Sequence, residues 1–103
     1  MYVLNIWHTV SDYGEWKKVF DSDPLEREAS GVRRYVLEHP VGNENMVIGH
    51  LEFDSLGEAE AFAGRLEETW RGVASEMVSD PGYTISEVVE RGEYGGQSVR
   101  WAA

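Results

Sequence analysis

Residues 32–62 read VRRYVLEHPVGNENMVIGHLEFDSLGEAEAF, and the order of elements in the chain follows from this stretch. Two runs rich in β-branched and aromatic residues, Val32 to His39 and Met46 to Phe53, flank the segment Pro40 to Asn45. That segment holds a proline and the pair Gly42-Asn43, so the two runs predict a β-hairpin. Ser55-Leu56-Gly57-Glu58 is a capping box, in which a hydroxyl and a carboxylate three residues apart satisfy the first free amides of a helix. Behind it Ala59, Phe62, Ala63, Leu66, Trp70, Val73 and Met77 recur at helical spacing. Gly64 and Gly72 weaken that helix.

Upstream, Tyr2 to Val10 carries the aromatic and β-branched composition of a strand. Ser11-Asp12 is a helix N-cap signal, and Tyr13, Trp16 and Phe20 follow at i, i+3 and i+7. Asp23, Pro24 and Glu26 predict that a short helix restarts there, with Gly31 ending it. Downstream, Asp80-Pro81-Gly82 predicts a turn and Tyr83 to Arg91 a last strand. Residues 92–103 contain Gly95-Gly96 and read as a flexible or partner-packed tail, with Tyr94, Val99 and Trp101 as its packing residues.

The order is strand, helix, strand, strand, helix, strand. Two right-handed crossovers then give an α+β, ferredoxin-like βαββαβ domain over residues 1–91: a four-stranded antiparallel sheet with both helices on one face. Both parities of the strands carry large apolar groups, Leu4 and Ile6 against Val3 and Trp7, and Val47, Leu51 and Phe53 against Ile48. A strand apolar on both sides asks for cover on both sides, and the helices cover one. A second copy is the simplest cover for the other, so the sequence predicts a homodimer joined through the sheet face as an α/β barrel.

Composition narrows the function classes. The 103 residues carry a formal net charge of −10 and no cysteine. Nucleic acids and anionic membranes are bound through Lys and Arg, so neither is an expected partner. No disulfide, thiolate nucleophile or thiolate metal site is possible. No run of eighteen apolar residues and no signal peptide is visible, and a cytoplasmic location is the default expectation.

The stretch His8-Thr9-Val10-Ser11-Asp12-Tyr13-Gly14-Glu15-Trp16-Lys17-Lys18-Val19-Phe20-Asp21 resembles the opening H-x-V-x-D-Y-x-x-W-x-x-x-F-D of small dimeric α/β-barrel proteins. Glu52-Phe53-Asp54-Ser55, with Ala59, Ala61 and Phe62, is similar to their E-F-x-x-x-x-x-A-x-A-F segment. The resemblance covers residues 2–91. It implies a superfamily that includes antibiotic-biosynthesis-type monooxygenases, haem-degrading monooxygenases and muconolactone isomerases. Haem-degrading members use a strand-one Asn, which Asn5 matches, plus a Trp and a His on the second helix. Here the Trp position is Arg65, the His position falls near Ser75, and that helix holds no His. Ser79-Asp80-Pro81-Gly82 also replaces the usual glycine pattern before the last strand. The haem reading is disfavoured, and no cofactor or metal is expected.

With the first and third strands taken as parallel neighbours, His8 and His50 fall near corresponding strand ends, with Glu52 on the parity of His50. Two imidazoles and a carboxylate suit acid–base work on a substrate or the holding of a divalent metal, and each histidine could instead make only a structural hydrogen bond, which is the leading reading. His39, beside Pro40, reads as a loop-edge residue. Tyr13, Trp16, Phe20, Tyr35, Phe62 and Trp70, with Asn5, are the candidate substrate-binding set, since aromatic-lined pockets suit planar organic ligands; the same rings could simply be core. Arg27, Arg33 and Arg34 are the main basic cluster, with solvated ion pairs or anion binding as alternatives. The sequence reading is a small-molecule-binding protein, as a cofactor-free monooxygenase or isomerase acting on an aromatic or polyketide-like compound. The alternative is a non-catalytic dimeric binding or interaction module.

Overall fold

A computed structural model describes residues 1–72 and 75–95. Strand β1 (Tyr2–Val10) leads into helix α1 (Tyr13–Ser22). Asp12 caps α1, its carboxylate accepting from the Glu15 amide at 3.0 Å. Asp23 ends α1 in the left-handed conformation, at φ 56°. The short helix expected after Asp23-Pro24 does not form; residues 24–30 make turns. Both Asp23 and Glu26 have positive φ, 56° and 51°, which a right-handed helix cannot contain. The Asp23 carboxylate accepts from the Arg27 amide at 3.0 Å, so it caps a turn.

Strands β2 (Val32–Glu38) and β3 (Met46–Phe53) form the hairpin. Helix α2 (Leu56–Arg71) follows, with the Ser55 hydroxyl accepting from the Glu58 amide at 3.3 Å. It ends at Gly72, before Met77 of the expected stripe, while Val73 lies outside the described residues. Strand β4 (Val78–Glu87) starts earlier than Tyr83 and stops short of Arg91. Asp80-Pro81-Gly82 is therefore an irregularity inside a strand rather than a turn before one. Asp80 takes φ 52°, and pairing with β1 shifts between Trp7 and Thr9. The proline is tolerated because β4 is an edge strand.

The sheet order is β2-β3-β1-β4 and every pairing is antiparallel. This is the ferredoxin-like arrangement. It corrects the expectation that the first and third strands run parallel. The β1-α1-β2 crossover leaves one strand's space, and β3 returns through the hairpin to fill it, antiparallel to both neighbours. Leu4, Ile6, Leu51 and Phe53 pack under Ala59, Phe62 and Ala63 of α2. Val10, Val47 and Val78 pack with Trp16 of α1. Both helices thus cover one face.

The other face is mixed, where the sequence suggested it was apolar. The pairing puts Val3, Asn5 and Trp7 beside Glu52, His50 and Ile48, with Arg34, Val36 and Glu38 beyond them on β2 and Thr84 and Ser86 on β4. Val3, Trp7 and Ile48 are apolar as expected, and Val36 of β2 joins them. The middle of the face is a polar row. Past β4 the Val88 amide continues the β1–β4 ladder by donating to Met1 O at 3.0 Å, and the Arg91 side chain reaches Glu52 at 3.2 Å. In the expected tail Tyr94 is exposed, and residues 96–103, with Val99 and Trp101, lie outside the described residues.

Candidate functional site

Strand alternation sends Leu4, Ile6, His8 and Val10 toward the helices. His8 is the one polar residue in that row, and it is 2 % exposed. Two indole rings enclose it edge-on, Trp16 of α1 at 5.3 Å and Trp70 of α2 at 6.0 Å between centroids. Burial pushes its pKa down from 6.5 to about 4, because desolvation disfavours the imidazolium. His8 is therefore neutral near pH 7. Its Nδ1 is fully buried and has no hydrogen-bond partner, alone in this among the described residues. Leaving such a group unpaired costs about 1–3 kcal/mol.

His8 lines a pocket of about 90 Å³ between the sheet and the two helices. Ile6 and Leu51 contribute from the sheet, Trp16 and Phe20 from α1, and Phe62 and Trp70 from α2. Trp16 stacks on Phe20 at 5.3 Å with 29° between their planes. Four of the six expected aromatic residues, Trp16, Phe20, Phe62 and Trp70, are thus brought together. Tyr13 and Tyr35 stand outside the pocket. Tyr13 packs on Trp16 at 5.9 Å and on His39 at 4.8 Å. Tyr35 meets Phe20 edge-on at 5.3 Å. Arg27, Leu66 and Met77 also line the pocket; Leu66 and Met77 lay in the helical stripe but carried no polar signal to mark them as lining.

The expected His8–His50–Glu52 constellation is not assembled. His50 and Glu52 alternate onto the open face, opposite His8, because antiparallel pairing sets His50 against Asn5 and His8 against Val47. His50 contacts Asn5 Oδ1 through Nδ1 at 2.8 Å and Glu38 through Nε2 at 2.9 Å. Asn5 Nδ2 reaches the Ser86 hydroxyl at 2.8 Å. Asn5 is therefore part of this network and not of the pocket. Glu52, 2 % exposed, is held by Arg34 Nε at 3.0 Å and Arg91 Nη2 at 3.2 Å. Arg33 pairs with Asp54 at 3.3 Å in solvent.

No cluster of three metal-ligating side chains occurs among the described residues. Nor do the pocket residues fit a haem group. A volume of about 90 Å³ is far below even the roughly 300 Å³ at the small end of organic-ligand pockets. Arg65 is also committed elsewhere, donating to Ser30 Oγ at 2.8 Å and Leu25 O at 3.0 Å and so tying the 24–30 turn to α2.

The fold and site define an α+β, ferredoxin-like protein with an apolar aromatic pocket set between its helices and its sheet, lined by a neutral histidine. No protein-family model and no curated protein matches the chain. Solved structures of the same fold do. A candidate antibiotic biosynthesis monooxygenase from Deinococcus radiodurans superposes with a TM-score of 0.66 at 13% identity, over 93% of this chain and 100% of that one. A point mutant of MhuD, with two manganese protoporphyrin IX molecules bound per active site, gives 0.66 at 22% identity over 93% and 100%. A dimeric ferredoxin-like protein from an uncultured marine organism gives 0.62 at 14% identity over 90% and 98%. At these identities the likeness establishes the fold, which is the one that the sequence pattern implied.

Proposed function

We propose that this chain is a homodimeric small-molecule-binding protein that takes an aromatic or polyketide-like compound into the pocket beneath α1 and α2. It acts on that compound as a cofactor-free monooxygenase or isomerase. The observation that carries this reading is His8: a buried, neutral imidazole with an unpaired Nδ1, among the aromatic rings lining a pocket. A protein retains such an unpaired group at a cost, and a ligand hydroxyl or carbonyl would supply the missing partner.

The depressed pKa of about 4 limits what His8 does. So weak a base does not remove a phenolic proton from a resting substrate. It accepts the hydrogen bond, fixes the ring's orientation, and receives the hydroxyl proton as one electron passes from the phenol to O2, since an oxidised phenol is a far stronger acid than the phenol. The phenoxyl and superoxide then join through a C–O bond, and His8 returns its proton to make the hydroperoxide. O–O cleavage with loss of the ring C–H proton leaves a quinone and one water. Trp16 and Trp70 supply a dry wall around that step. His50 and Glu52 fall outside the chemistry and organise the open face. Dimerisation covers Trp7, Val36 and Ile48, which are half-buried on that face. The small pocket volume favours a second reading, a non-catalytic dimeric interaction module in which the aromatic rings are core.

Oxygen uptake with a panel of quinols and hydroxylated polycyclic aromatics tests the proposal. Uptake lost in His8→Ala and kept in His50→Ala supports it. Equal activity in both variants removes His8 from the mechanism, and saturable binding with no product by any substrate leaves the binding module. Light scattering at micromolar concentration should give about twice the 11.7 kDa chain mass, and a clean monomer excludes the dimer.

A further inference from the structure

The pocket has a second polar end. Arg27 lines it from the 24–30 turn, and its side chain is only 17% exposed. The guanidinium carbon lies 3.8 Å from the Phe20 ring centroid and 5.1 Å from that of Tyr35. The hydrogen bond to Phe20 O at 2.8 Å and the ion pair with Asp23 at 3.2 Å are both made by Nη1. The face stacking on Phe20 fixes the plane of the fork, while Nε and Nη2 are not the atoms those two contacts employ. Arginine presents donors in a rigid planar array that matches a carboxylate. One wall then runs through successive ring contacts, His8 to Trp16, Trp16 to Phe20, and Phe20 to Arg27. It starts at a neutral imidazole and finishes at a permanent cation.

We propose that Arg27 is the anion-recognition group of this pocket, and that the ligand is a planar aromatic carboxylate lying along the Trp16–Phe20 wall. Its carboxylate meets Arg27 and its uncharged hydroxyl or carbonyl end meets His8. The proposal rests on the pocket being the binding site. It explains why a chain of net charge −10 keeps an arginine against an apolar cavity: in a protein that repels anions generally, one buried cation selects them locally. Asp23, at 40% side-chain exposure, balances Arg27 in the free protein and is solvated enough to yield part of that contact. At about 90 Å³ the cavity must widen for a two-ring ligand.

The test uses quenching of tryptophan fluorescence by hydroxynaphthoic acid, its methyl ester and naphthol. Wild type should bind the acid about tenfold more tightly than the ester, the amount of one charge-assisted hydrogen bond. Arg27→Gln should erase that preference, and Arg27→Lys should keep part of it. Melting curves show that each variant is folded before its binding is read. Equal affinity of wild type for acid and ester overturns the proposal, as does a preference that survives Arg27→Gln. If the ester and naphthol saturate without any acid preference, Arg27's role fails while the pocket stands. If none of the three saturates, both readings fail.

Discussion

Replacing His8 with leucine should stabilise the protein and abolish ligand binding, and the size of the gain should depend on pH. Leucine is close to histidine in volume and leaves no polar atom in the row with Leu4, Ile6 and Val10. Above pH 7 the gain is the removed cost of the unpaired Nδ1, about 1–2 kcal/mol. A gain of that size raises the melting temperature by about 4–8 °C per kcal/mol for a domain near this length. Below pH 6.5 a second effect enters. The folded pKa is about 4 against 6.5 for the ordinary group, so between these values the unfolded chain binds a proton that the folded chain refuses. Wild-type stability falls as pH drops through this window and levels off below about pH 4. The gap between these two values corresponds to about 3 kcal/mol. His8 is 2 % exposed, so solvent screening takes little from this figure. His8→Leu lacks the slope. Urea melts of both proteins from pH 8 to pH 4 should show the variant's advantage growing as pH falls, while His39, His50 and the carboxylates cancel in the difference. A variant less stable than wild type by more than about 1 kcal/mol at pH 8 would show that His8 makes a structural contact. A pH-independent difference would show that its imidazole is not desolvated.

Glu52→Gln removes the charge that Arg34 and Arg91 share. It should cost about 2 kcal/mol, and amide exchange at residues 88–95 should quicken if Arg91 anchors that segment. Gly82→Ala would put a Cβ 2.5 Å from the Trp7 indole nitrogen; it should destabilise by about 1–3 kcal/mol and shift the tryptophan emission, and a silent substitution would refute that packing. Asp12→Ala removes the α1 cap and should cost about 1 kcal/mol in a thermal melt.

The element order was legible because the hairpin and capping-box signals are local. Alternation separates Leu4, Ile6 and His8 from Val3, Asn5 and Trp7, yet Asn5 was grouped with the pocket rings, because large apolar residues on both parities hid which face is the core. Whether His8 and His50 meet was not a local matter. It depends on the pairing register, which sets His50 against Asn5 and His8 against Val47 and so places the two histidines on opposite faces. The 24–30 turn was misread because Asp-Pro followed by Glu is also what a helix start looks like; the left-handed Asp23 and Glu26 decide otherwise. Asp80-Pro81-Gly82 likewise has turn composition, yet an edge strand absorbs it. Arg27 was visible only as one of a basic cluster, because nothing in sequence spacing says that its turn folds over Phe20. The polar row on the open face was missed because Asn5, His50 and Glu52 share that face with Val3, Trp7 and Ile48, and the large apolar groups drew the reading.

The most direct test of the pocket is nitrogen NMR of the three histidine rings during titration with naphthol at pH 7. Filling the cavity beside His8 should move the His8 Nδ1 resonance in a saturable manner toward the hydrogen-bonded range and leave His39 and His50 in place. Movement of His50 with His8 unchanged, or no saturable shift at any ring, would contradict the assignment of this pocket as the binding site.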